Sequence, residues 1–109
     1  MSKKTSKSEE QRVELDLNNP QFQKALFKLE KSLIVELIGA LAKIAQMNWS
    51  QVYRDAGLKW ELIYSYKGPK GEPRYSLRIT KGFRAVAFRE GNWIRLLTLH
   101  PDHDSAYRG

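Results

Sequence analysis

The chain has 109 residues, the size of one domain with a single modest core, and its 41% hydrophobic and 28% charged residues are ordinary for a globular fold. Nineteen Lys+Arg against twelve Asp+Glu give a net charge of +7, which attracts polyphosphate backbones, and no uncharged run approaches the ~18 residues that a membrane-spanning helix needs. The lack of cysteine excludes disulfides, thiolate metal sites and a Cys nucleophile, and the opening MSKKTSKSEEQR has no apolar stretch of a secretion signal, so a cytoplasmic location is expected.

Residues 1–11 are too polar to offset the entropy of ordering them and read as a disordered tail, which leaves residues 12–109 as one domain. Val13, Leu15 and Leu17 alternate with Glu14 and Asp16, as in a half-buried strand that Asn18-Asn19-Pro20 stops. Asn19 and Pro20 suit a helix N-cap and first position. Phe22, Leu26, Leu29, Leu33, Leu37, Leu41 and Ile44 then recur at helical spacing. Ser32 and Gly39 lower helix propensity, so this stretch forms one helix or two, and Phe27, Ile34, Val35 and Ile38 widen its apolar face. Asn48 or Ser50 caps a short helical turn through Tyr53, with Ala56-Gly57 as its exit.

The period then changes to two. Leu58 to Lys67 reads as a strand, Gly68-Pro69-Lys70-Gly71 as a turn, and Arg74 to Ile79 as the returning strand. Lys81-Gly82 and Glu90-Gly91-Asn92 are further turns, which separate Phe83–Arg89 from a last strand, Trp93–Leu99. The order β-α(α)-β-β-β with sequential hairpins predicts an α+β fold, its N-terminal helices packed on one face of a small antiparallel sheet.

From Arg74 to the end, seven Arg or Lys face three acidic residues, and six of the seven are arginine, whose planar fork pairs phosphate oxygens bidentately. Lys59, Lys67, Lys70, Lys81 and Arg95 are candidate nucleic-acid contacts; a solvated charged face is the plainer reading of any one of them. Arg78 and Arg84 flank one turn. With a three-residue loop and a left-handed Gly82 they face each other, and such like charges persist most easily around an anion; with a two-residue loop Ile79 faces Arg84 instead. Regular alternation puts Arg84 beside Val86 and Phe88, and Arg95 beside Trp93, Leu97 and Leu99, where a structural ion pair with Glu61, Asp102 or Asp104 is the competing role. His100-Pro101-Asp102-His103-Asp104 holds both histidines, the side chains able to exchange protons near neutral pH, and matches no specific metal-ligand spacing. Tyr107 can stack on a base, donate its hydroxyl or anchor the tail.

The segment YSLRITKGFRAVAFREGNWIRLLTLHPDHDSAY resembles the C-terminal half of RelE/ParE-superfamily toxins of bacterial toxin–antitoxin pairs. The resemblance lies in a strand with Arg78, a turn, a strand opening Arg84-Ala85-Val86-Ala87-Phe88, a last apolar strand, and a terminal His103-Asp104-x-x-Tyr107. It implies a RelE-like fold and an mRNA endoribonuclease, commonly acting on the ribosome, that needs no metal or cofactor and is silenced by a partner antitoxin. It also implies that Arg78 and Arg84 hold the scissile phosphate, that His103 is the acid or base and that Tyr107 orients or stacks on the substrate. The ParE branch acts on DNA gyrase instead, and a non-enzymatic nucleic-acid-binding module of the same fold is a third expectation.

Overall fold

The structure, a computed structural model, describes residues 10–101. Most of the tail expected over residues 1–11, and both His103 and Tyr107, lie outside them. The elements are β1 (Glu14–Asp16), α1 (Pro20–Phe27), α2 (Lys31–Ile44), α3 (Trp49–Arg54), β2 (Glu61–Lys67), β3 (Pro73–Thr80), β4 (Phe83–Glu90) and β5 (Trp93–His100).

Local chemistry sets most of these boundaries. The Asn19 side chain accepts from the backbone N–H groups of Gln21 (2.8 Å) and Phe22 (3.1 Å), and Pro20 opens α1 where no N–H is required. The helical stretch divides at Lys28–Glu30, because Glu30 adopts an extended conformation (ψ 152°), whereas Gly39 lies inside α2. The buried stripe of α2 is Leu37, Leu41 and Ile44, and the apolar face does not widen as expected: Phe27, Val35 and Ile38 are exposed. A capping box starts α3, with Asn48 Oδ1 accepting from Gln51 N and Gln51 Oε1 accepting from Asn48 N, both at 2.8 Å. Leu58, expected to begin β2, is instead buried in the core, and Lys59 turns left-handed (φ 49°) before the strand starts at Glu61.

The five strands form one sheet in the order β1-β5-β4-β3-β2. Its four C-terminal strands are antiparallel, as sequential hairpins require, but β1 pairs parallel with β5 (Leu15↔Ile94), so the sheet is mixed and not wholly antiparallel. The reason is topological: β1 and β5 are joined only through the helices and the rest of the sheet, and no tight turn constrains their relative direction. One face carries the core, where Leu77, Ala85, Ala87, Ile94 and Leu96 meet Phe22 and Trp49 and the buried stripe of α2. Burying a side chain such as Phe22, which is wholly enclosed, contributes roughly 2–3 kcal/mol.

Candidate nucleic-acid interface

Strand periodicity turns a second set of residues to the sheet face opposite that core. Ser76 pairs with Val86 and Arg78 with Arg84 across β3 and β4, while Arg84 pairs with His100 and Val86 with Thr98 across β4 and β5. Arg78, Arg84 and His100 therefore form one row across three neighbouring strands, about 10 Å from end to end at the usual cross-strand spacing.

Two bulges build this row. The turn between β3 and β4 has two residues, since Thr80 pairs with Phe83, and an unbroken ladder would then set Ile79 against Arg84. A register shift between Arg78 and Thr80 absorbs Ile79 and restores Arg78 to the position opposite Arg84. Gly82 does this without the positive φ that a three-residue loop was expected to need; Gly71 and Gly91 are the positive-φ glycines among the described residues. In β5 the pairing passes from Val86↔Thr98 to Ala87↔Leu96, which leaves Leu97 extra. That shift replaces Leu97 and Leu99, expected beside Arg95, with Thr98 and His100.

The row is partly dry. Arg84 is only 6% exposed, Val86 and Ser76 beside it are buried, and charge interactions strengthen where water is excluded. Arg78 Nε is enclosed and has no hydrogen-bond partner among the described residues. His100 Nε2 lies 2.8 Å from Thr98 Oγ1, which fixes the ring at the edge of the row. Two guanidinium groups facing each other, with an imidazole beyond, suit an anion that carries several oxygens and must gain or lose a proton.

The other cations divide by role. Lys81 is exposed in the turn that joins Arg78 to Arg84, and Lys67 and Lys70 are exposed in the β2–β3 hairpin, with Lys59 half-buried before it. Arg95 does not stand with them: it is ion-paired to Asp16 and to Glu90 (2.6 Å). The Asn18 backbone N–H and then Arg95 hold the Asp16 carboxyl below the usual carboxylate range, and the two carboxylates hold Arg95 above its ordinary value. Arg89 stacks 4.1 Å from the Trp49 ring and donates to Tyr53 Oη (2.6 Å), a structural role. Sequence patterning did not single out Thr98 or Arg74. Arg74 is buried 4.7 Å over the Phe88 ring and 3.9 Å from Glu72.

No family model and no curated protein matches the chain. Among solved structures it is similar to a chain of the archaeal RelE–RelB complex from Pyrococcus horikoshii, with 16% identity, a TM-score of 0.57, and 91% of this chain and 100% of that chain covered. It is also similar to a copper-bound mutant toxin from Helicobacter pylori, with 22% identity, a TM-score of 0.50, and 87% of this chain and 99% of that chain covered. The likeness extends over nearly the whole of both solved chains and shows that the chain has a RelE-like fold.

Proposed function

We propose that this protein is the toxin of a toxin–antitoxin pair and a metal-independent endoribonuclease that cleaves mRNA, associated with the ribosome. The observation that carries the reading is the Arg78–Arg84–His100 row on the face turned away from the helices. In the proposed reaction the RNA 2′-hydroxyl attacks the adjacent phosphorus, the bond from phosphorus to the 5′-oxygen breaks, and a cyclic phosphate and a 5′-hydroxyl result. Arg78 and Arg84 bind the non-bridging oxygens and stabilise the charge that develops on them. A histidine moves the proton, and His100 is the one supported by cross-strand pairing with Arg84; the family resemblance assigns that work to His103 and the orientation of substrate to Tyr107.

A partner protein fits the opposite side. Val35 is 68% exposed and Ile38, one turn further along α2, is half exposed, while Phe27 at the end of α1 is 77% exposed; exposed apolar side chains grouped in this way mark protein-binding surfaces. Beside them a cleft of about 550 Å³ opens between α2 and the end of β3, lined by residues that include Val35, Gly39, Lys43, Leu58 and Ile79, and it reaches Arg78 at one end of the row. The relative from Pyrococcus horikoshii is described in a RelE–RelB complex, and an antitoxin is the corresponding partner here. Ile38→Asp is expected to abolish co-purification with the cognate antitoxin while leaving the fold intact.

Primer extension on mRNA after induced expression tests the reading. It predicts growth arrest with new mRNA 5′ ends, relief by Arg84→Ala, and cleavage by purified protein that persists in EDTA. Arrest with broken DNA and intact mRNA would replace it with a gyrase-directed toxin, and RNA binding without turnover would leave a binding module.

A further inference from the structure

The hairpin joining β2 to β3 is built differently from the other two. Ile63 pairs with Arg74, but the next pair is Lys67↔Pro73, so Tyr64, Ser65 and Tyr66 have no counterparts on β3 and are displaced from the ladder. Tyr64 is 83% exposed and Tyr66 39%, and neither ring packs on another aromatic among the described residues. Lys67 and Lys70 follow them on the exposed surface, and β2 is the outer strand, so one flank of the hairpin is open.

This projecting arm is held firmly at its base. Gly68 N donates to Glu72 O and Gly71 N to Gly68 O, both at 2.9 Å, and Lys70 N donates to Glu72 Oε1 at 2.8 Å. The chain at Gly68 lies directly on the buried guanidinium of Arg74, which itself rests on Phe88. The displaced tyrosines are thus presented by an ordered turn. Arg74 and Arg78 share one sheet face and are four residues apart on β3, about 13 Å at the usual strand rise, so an extended strand anchored at the row can reach the arm.

We propose that the arm is a second contact for single-stranded RNA, in which bases stack on Tyr64 and Tyr66 and phosphates meet Lys67 and Lys70. Exposed tyrosines followed by exposed lysines match stacking platforms on single strands, whose charge complements the lysines; an apolar protein ligand would gain nothing from those cations. The proposal rests on the reading of the protein as RNA-directed and adds to it a surface that grips substrate outside the row.

The test is fluorescence anisotropy of a labelled single-stranded 12-mer oligoadenylate, with a duplex RNA for comparison, measured alongside cleavage. Tyr64→Ala and Tyr66→Ala are each expected to raise the Kd about tenfold, whereas Tyr64→Phe and Tyr66→Phe, which keep the ring, bind as the native protein does. Lys67→Gln and Lys70→Gln should each reduce the slope of log Kd against log salt by about 0.7. Both tyrosines are exposed, and unchanged circular dichroism confirms that the variants fold. Native affinity in the Tyr64→Ala/Tyr66→Ala double variant, or equal losses with Phe and Ala, overturns the proposal even where the protein cleaves RNA. Tighter binding of the duplex also overturns it. Loss of oligoadenylate binding in a protein that cleaves nothing leaves the arm standing and removes the nuclease reading.

Discussion

Arg78 stands directly opposite Arg84 although only two residues separate Thr80 from its partner Phe83, because Ile79 is taken up in a bulge. Like charges directly opposite each other on neighbouring strands repel, and an anion bound between two guanidinium groups turns that repulsion into attraction. The same bulge sets the geometry of the row, so its removal is informative. Deleting Ile79 should return the ladder to uninterrupted pairing with Arg78, now next to Thr80, still opposite Arg84, so RNA cleavage should be retained while the melting temperature changes by only a few degrees. Loss of cleavage in a folded deletion variant would show that facing Arg78 with Arg84 is not sufficient for the activity.

Arg84→Lys keeps one positive charge but loses the planar fork, and it is expected to lower single-turnover cleavage by about tenfold to a hundredfold, less than the loss caused by Arg84→Ala. If lysine restores full activity, bidentate phosphate binding at this position is wrong.

Much of this was visible in the residues themselves. The hairpins at Gly68–Gly71, Lys81-Gly82 and Glu90-Gly91-Asn92 follow from period-two alternation and turn chemistry, and the structure forms all three. The bulges were not visible. Leu96 and Leu97 are chemically identical, so nothing local says which of them is the extra residue, and the displacement that brings His100 to Arg84 depends on that choice. The ion pair between Arg95 and Asp16 was hidden for a different reason: it requires parallel pairing of β1 with β5, a contact between residues 79 positions apart. Exposure of Phe27, Val35 and Ile38 was equally hidden, since helical spacing does not tell a buried apolar residue from an exposed one.

Gly68 is constrained by Arg74. A Cβ there would collide with Arg74 Nη2 and lie 2.7 Å from Arg74 Cζ, and that guanidinium is too enclosed against Phe88 to withdraw easily. Gly68→Ala is expected to cost about 1–3 kcal/mol in urea unfolding and to increase hydrogen exchange in the β2–β3 hairpin. An unchanged midpoint and unchanged exchange would mean that the arm is not anchored through Arg74.

Core packing sets the scale for these effects. Phe22 is wholly buried between α1 and the sheet, so Phe22→Ala should destabilise the protein by about 3–5 kcal/mol, a large share of the stability of a small domain. Urea denaturation with an unchanged slope is the measurement; a loss below about 1 kcal/mol would contradict the packing described.

Acid should unfold the protein through its bonded carboxylates. The Leu58 backbone N–H and then Lys43 hold Asp55 below its ordinary value, as the Asn18 N–H and Arg95 do for Asp16. Carboxyls with lowered folded-state values contribute stability above the ordinary value near about 4 and lose it as pH falls through that value and below. Thermal melts should therefore be flat from neutral pH to about 5 and fall steeply below about 4, and the fall should be shallower in Asp16→Asn and Asp55→Asn.

The row itself is tested most directly by single-turnover cleavage of a defined mRNA fragment in EDTA, with purified native protein and the Arg78→Ala, Arg84→Ala and His100→Ala variants. The account predicts cleavage by the native protein and losses of about a hundredfold or more in each variant, all three still folded. Cleavage that survives the loss of Arg78 and Arg84 would contradict it.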